Sequence, residues 1–299
     1  MGQAEQKDMA FEQHRRWYRQ QLGIELWLAR REIFPLTELG IHAELYHHHE
    51  DSPTLIFLPG IGTYVELYAE LLGRLSDKGF NILAIDPPGH GYSEGSRGAY
   101  TVEQIDQAVS LAIDTLSPRY KGAFGVFGFS IGSLLAVSAA EQDSRVESIL
   151  CSTLLLPDLP PDMLHWAGWQ WTWSSAFFFP QLEVPLGHMM DFRQLIAGHP
   201  AAAAINDDPL IVTNYPLSTL SSLFNHCCGI VSKEYGFKAA IIHGDRDEVL
   251  PLSYSERVVN HCRHPLELFP VPRASHMMPW LQTPVMLDVA SDWFHRSLG

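Results

Sequence analysis

Between residues 123 and 140 the chain passes from one kind of apolar run to another, and the five residues at the junction constrain the fold most. They are Gly128-Phe129-Ser130-Ile131-Gly132. The run before them, Ala123-Phe124-Gly125-Val126-Phe127, has the length of a buried strand. The run after them, Leu134 to Ala140, is made of small and apolar residues that suit a helix packed on a sheet. A turn this abrupt needs strand and helix to approach closely, and glycines two before and two after the serine remove the β-carbons that would block it. Ser130 then sits at a strained point above the sheet edge. The N–H groups of the following helix start face the space in front of it, and they suit a developing negative charge.

The rest of the chain alternates in the same way. Apolar or alternating runs near 38–47, 54–58, 81–85, 123–127, 146–152, 238–243 and 265–271 read as strands, with helical patterns near 64–78, 101–117, 132–142, 252–262 and 279–297. Alternation of this kind predicts a mostly parallel α/β sheet with helices on both faces. Nothing repeats at a solenoid period. Residues 11–22 read as a short basic amphipathic helix that docks on the body.

Two loops late in the chain carry the partners a nucleophilic serine needs. The first follows the strand at 238–243 and contains Asp245 and Asp247. The second follows the last strand and contains His276. A serine hydroxyl attacks only when an imidazole can take its proton, and a carboxylate must orient that imidazole. Asp245 competes with Asp247 for the acid role and has an alternative as a turn-former. The chain holds 15 histidines, most of them readable as surface or packing residues. His47-His48-His49 lacks a second ligand cluster and reads as a solvated strand end. His90, in a Gly-His-Gly turn, reads as a structural hydrogen-bonding residue.

From about residue 40 to its end the chain resembles the α/β-hydrolases of the monoglyceride lipase/lysophospholipase-like group, in the branch with an inserted helical cap. The resemblance is carried by Leu58-Pro59-Gly60-Ile61-Gly62, by Asp86-Pro87-Pro88-Gly89-His90-Gly91-Tyr92-Ser93, by the serine turn, and by the Asp247 and His276 loops in the order Ser, Asp, His. It implies Ser130 as nucleophile, His276 as base and Asp247, three residues after Gly244, as acid. The backbone N–H groups of Ile61 and Ile131 would form the oxyanion hole. The family usually has His-Gly where this chain has Pro59-Gly60, a change that leaves the backbone donor of Ile61 in place.

Residues 1–153 and 236–299 are expected to form the core, and 154–235 the cap, because about eighty residues without strand periodicity is too long for a bare loop. Trp166, Trp169, Trp173 and Phe177 are the expected substrate-binding residues, lining an apolar tunnel over Ser130, with Trp171, Phe178 and Phe179 in the same cluster. The same rings could instead fasten cap to core, or face outward against a lipid aggregate. Asp208-Pro209-Leu210 resembles a short motif of the family's caps. The formal net charge of −14 argues against nucleic-acid partners and against attraction to anionic lipid. No signal peptide or membrane span is visible, and four cysteines without a framework suit a reduced, cytoplasmic protein. The expected activity is hydrolysis of apolar acyl esters without cofactor or metal. A thioesterase, acyltransferase or aminopeptidase could use the same residues. A peptidase would need a cap carboxylate, from Asp158, Asp162, Glu183 or Asp191, to hold an amine. A non-catalytic binding protein is the third reading. The sequence leaves the oligomeric state open.

Overall fold

In the computed structural model, which describes residues 3–186, 191–203 and 205–299, the strands are β1 (Glu32–Ile33), β2 (Ala43–Tyr46), β3 (Thr54–Leu58), β4 (Asn81–Ile85), β5 (Phe124–Phe129), β6 (Val146–Ser152), β7 (Glu183–Pro185), β8 (Asn214–Pro216), β9 (Lys238–Gly244) and β10 (Leu266–Val271). Eight of them form one sheet in the order β1-β2-β4-β3-β5-β6-β9-β10. Pairing is parallel from β4 to β10, while β1 and β2 run antiparallel at one edge. The helices are α1 (Gln3–Leu22), α2 (Glu25–Leu28), α3 (Ala69–Asp77), α4 (Val102–Leu116), α5 (Ile131–Gln142), α6 (Met163–Phe178), α7 (Phe192–Leu195), α8 (Leu217–Phe224), α9 (Leu252–His261), α10 (Met278–Leu281) and α11 (Thr283–Leu298).

The sheet divides the core by its two-residue period. In β3, Leu55 and Phe57 face the side covered by α1, α3 and α11, while Ile56 and Leu58 face α4, α5 and α9. Each such side chain, fully buried, contributes about 1.5–3 kcal/mol. The helix α4 is closed by a reciprocal cap in which Thr101 accepts from Gln104 N–H and the Gln104 side chain accepts from Thr101 N–H.

Several sequence-derived boundaries shift for identifiable reasons. The strand expected at 38–47 shortens to β2, because residues 37–39 form a 3-10 turn closed by Gly40 at φ +63°. The last helix divides at Gln282, just before Pro284 at the start of α11. The segment between β6 and β9 is not purely helical. Besides α6, α7 and α8 it holds an antiparallel ribbon in which Glu183, Val184 and Pro185 pair with Pro216, Tyr215 and Asn214. Prolines in both strands remove backbone donors, and the ribbon stays three residues long.

The basic helix near the N-terminus docks through charge. Arg15 is wholly buried, donating to both carboxylate oxygens of Asp208 at 3.0 Å and to Tyr64 and Glu66. Arg19 adds a second donor pair to Glu66 at 2.7 and 3.0 Å. Burial alone would raise the Glu66 carboxyl, but Arg19, Arg15 and Arg31 hold it below its ordinary value. Its contribution to stability is therefore present above the unfolded-state value and lost as pH falls through the lower folded one. Asp208, read from sequence as part of a short cap motif, thus joins the insert to the N-terminal helix. Arg15→Ala leaves Asp208 buried without its cation, while Glu66 keeps Arg19 and Arg31, and urea denaturation at neutral pH should show a loss of about 3–5 kcal/mol.

Candidate active site

The C-terminal edge of the parallel sheet gathers the candidate residues, as such edges do. Ser130 follows β5 directly, Thr153 follows β6, Ile61 follows β3, Asp247 follows β9 and His276 follows β10. Ser130 has φ +54°, a strained conformation for a residue with a side chain. A β-carbon at Gly128 would collide with the Gly132 carbonyl, and one at Gly132 with the Leu58 carbonyl, so the turn requires both glycines. The strain is held from two sides. Ser130 N–H donates to Ser152 O at 2.8 Å, and the Ser133 hydroxyl donates to Gly128 O and Ser152 O.

His276 Nδ1 lies 2.8 Å from Asp247 Oδ2. A carboxylate only accepts, so Nδ1 carries a proton, and in the neutral ring Nε2 is then the nitrogen with the lone pair. Asp247 is fully enclosed. Its Oδ1 accepts the N–H groups of Val249 and Leu250 at 2.8 and 2.9 Å, and its Oδ2 also accepts the Thr153 hydroxyl at 2.9 Å. Burial pushes this carboxyl up, but the His276 hydrogen bond and charge, with the Leu250 N–H, hold it below its ordinary value. Asp245 points elsewhere and accepts the N–H of Arg273, which stands at φ +61°. Of the two aspartates, Asp247 is the one that meets His276.

Ser130 and His276 face one cavity of about 800 Å³, within the range of small-molecule sites. Ile61 and Ile131 line it as well. Ile131 opens α5, where the first N–H groups have no acceptor within the helix. In the loop from Gly60 to Thr63, Gly60 N–H donates to Tyr68 Oη, Gly62 N–H to Tyr215 Oη and Thr63 N–H to Gly60 O. Among the described residues this leaves the Ile61 N–H unengaged. An arrangement of this kind can remove a proton from a hydroxyl and stabilise an oxyanion at the same point.

The expected aromatic lining is corrected in part. Trp169 is in the cavity wall and stacks on Phe224 at 5.8 Å. Trp166, Trp173 and Phe177 are not in the wall, and they are 47%, 62% and 83% exposed. At about 100° per residue, these three fall on one flank of Trp169, whereas the cavity lies on the other, with His165, Gly168 and Thr172. Trp171 lines the cavity instead. Sequence reasoning also missed Thr153, at φ +60°, and Glu248, which accepts His276 N–H at 3.2 Å and lines the cavity. The only signal for either was its place at the end of a strand or beside Asp247. Of the four carboxylates considered for an amine, Asp191 lines the cavity while it also caps α7 by accepting Arg193 N–H at 3.0 Å. Asp158 instead accepts Cys228 N–H, and Asp162 caps α6. Among the described residues no helix is long and apolar enough to cross a membrane, and no group of three or more His, Cys, Asp or Glu is arranged to hold a metal.

Comparison with known proteins agrees with this architecture. The monoacylglycerol lipase of Paleococcus ferrophilus superposes with a TM-score of 0.69 at 20% identity, covering 85% of this chain and 97% of that one. A soluble variant of the Saccharomyces cerevisiae monoglyceride lipase, bound to a substrate analogue, superposes with a TM-score of 0.71 at 16% identity, covering 90% and 95%. A putative non-heme haloperoxidase of Mycobacterium phage D29 is 32% identical over 93 residues, which are 31% of this chain and 32% of that protein. Residues 49–279 match the Hydrolase_4 model, serine aminopeptidase S33, and the chain is therefore a member of that family of α/β-hydrolases.

Proposed function

We propose that the protein is a serine carboxylic-ester hydrolase acting on apolar acyl esters of the monoacylglycerol or lysophospholipid type. The observation that carries this reading is the 2.8 Å Asp247–His276 pair, whose imidazole faces the same cavity as the strained Ser130. Ser130 Oγ attacks the acyl carbon while His276 Nε2 takes its proton. The N–H groups of Ile61 and Ile131 hold the oxyanion, and His276 returns the proton to the departing alcohol. A water, deprotonated by His276 in turn, then releases the acid and restores Ser130. The wall is mostly apolar, with Leu155, Leu164, Trp169, Trp171, Leu195 and Phe224 among its residues, and among the described residues it contains no lysine or arginine. That favours a neutral acyl chain over a strongly anionic group.

We read residues 154–235 as a cap over the core that selects the substrate. Its helix α6 has no Asp, Glu, Lys or Arg between Met163 and Phe178 and exposes Trp166, Trp173 and Phe177 on the flank away from the cavity. Such a face supports transient contact with a lipid aggregate that delivers substrate. Asp191 in the wall supports a second reading, an aminopeptidase that holds a free amine there.

Hydrolysis of a p-nitrophenyl ester series from acetate to palmitate tests the first reading, with amino-acid p-nitroanilides testing the second. Turnover of esters should peak at one chain length and vanish in Ser130→Ala, and anilide turnover without ester turnover would replace the first reading by the second. Asp247→Asn should lower kcat on the order of 10⁴-fold, whereas Asp245→Asn, which keeps an acceptor for Arg273, should leave it near wild type. The reverse ranking would show the acid to be misassigned. A Trp173→Ser/Phe177→Ser double variant should lose activity on monoacylglycerol in zwitterionic vesicles while keeping it on soluble butyrate. Equal loss on both would remove the role of the exposed face.

A further inference from the structure

The loop that carries Ile61 is not held by the core alone. Its neighbour Gly62 stands at φ +75°, where a β-carbon would meet the carbonyl oxygen of Val212 at 2.5 Å. The Gly62 carbonyl accepts Val212 N–H at 2.9 Å, and the Gly62 N–H donates to Tyr215 Oη at 2.7 Å. Tyr215 lies in β8 and Val212 just before it, both within the insert. Both backbone polar groups of the residue beside the free Ile61 N–H are therefore fastened by the insert.

The direction of these hydrogen bonds follows from what each atom can do. His90 Nδ1 is 3.0 Å from Pro88 O, an atom that only accepts, so Nδ1 carries the proton. His90 Nε2, 2.6 Å from Tyr215 Oη, is then an acceptor, and the tyrosine hydroxyl donates to it. This leaves lone pairs of the hydroxyl oxygen facing the Gly62 N–H. Tyr215 and His90 are buried, so water offers no competing partner. Burial also brings the His90 imidazole down to about 4, which keeps it neutral and the chain of donors in one direction at neutral pH.

We propose that Tyr215, oriented by His90, is a positioning residue that holds the Gly62 backbone so that the adjacent Ile61 N–H meets the developing oxyanion. The oxyanion site then depends on the insert as well as the core. This rests on the reading of Ser130 as nucleophile and Ile61 N–H as oxyanion donor. Without the hydroxyl, the peptide between Ile61 and Gly62 loses the acceptor that fixes its rotation. A misplacement of the donor on the order of 1 Å weakens transition-state stabilisation far more than substrate binding.

Tyr215→Phe keeps the ring in its buried site and removes only the hydroxyl. On p-nitrophenyl butyrate, kcat per fluorophosphonate-titrated site should fall about tenfold to a hundredfold, with KM within about twofold. Fluorophosphonate capture of Ser130 should slow by a similar factor, since it passes through the same oxyanion position. His90→Leu should reproduce the loss, and His90→Gln, which returns an acceptor to the hydroxyl, should retain most of kcat. If Tyr215→Phe does not fold, the contrast between His90→Leu and His90→Gln carries the same test. A wild-type kcat per titrated site in Tyr215→Phe would overturn the proposal, even with a lowered melting temperature, because Tyr215 would then only fasten the insert. A rise in KM with kcat intact would overturn it equally. Wild-type protein that neither hydrolyses esters nor takes the label would instead overturn the nucleophile reading, and this proposal with it.

Discussion

The close approach of β5 and α5 across Gly128 and Gly132 is the contact on which the rest of the site depends. With no β-carbon at either position, Gly128 of β5 packs against the Gly132 carbonyl and Gly132 of α5 against the Leu58 carbonyl of β3, while Ser130 stands at φ +54° above the sheet edge. The strain, of order 1–3 kcal/mol, persists because β6 over-determines the turn through Ser152 O, which accepts from Ser130 N–H and the Ser133 hydroxyl. The same geometry places Ile131, the first residue of α5, in the cavity wall, where its N–H has no acceptor within the helix. One steric constraint thus presents both the hydroxyl and one candidate oxyanion donor.

The remaining groups reach the same point because parallel strands end on one edge. Asp247 and His276 come from loops after neighbouring strands, β9 and β10, and Thr153 from the end of β6 between them and Ser130. Asp247 accepts four hydrogen bonds there, from Thr153, Val249, Leu250 and His276. A buried carboxylate so fully partnered stays ionised and fixes the imidazole tautomer. His243 supports that loop from beneath, one ring nitrogen 2.9 Å from Leu250 O and the other 2.7 Å from the Ser255 hydroxyl.

Buried polar contacts join distant parts of the chain alongside the two apolar clusters. The buried Arg15–Asp208 pair links the N-terminal helix to the insert, and Tyr215 links the insert to the loop beside Ile61. Hydrogen bonds of this kind specify one geometry, whereas an apolar face tolerates several. These few named atoms give a register to an insert that the apolar clusters also hold against the core.

Read alone, the sequence determined the alternation of strands and helices and the serine turn with its two glycines, and it singled out His276 as the expected base, the histidine that the structure pairs with Asp247. Each of these is legible because it is local: a period of two, a small-residue requirement, or a spacing after a strand. Strands at 54–58, 81–85 and 146–152 fall where their apolar runs do because both faces of each are buried. Between Asp245 and Asp247 the resemblance favoured Asp247 by its spacing after Gly244, and the tertiary structure adds that it is Asp247 that points across to His276 while Asp245 turns to Arg273. It also decided that Trp169 faces the cavity while Trp166, Trp173 and Phe177 do not. Helix α6 is apolar nearly all round, so its composition carries no phase, and its orientation is set by packing against α8. The ribbon in the insert, the buried Arg15 and the Tyr215 contact escaped the sequence for the same reason. Each is a pairing of residues far apart in the chain, formed by few atoms, and no local pattern records where such partners meet.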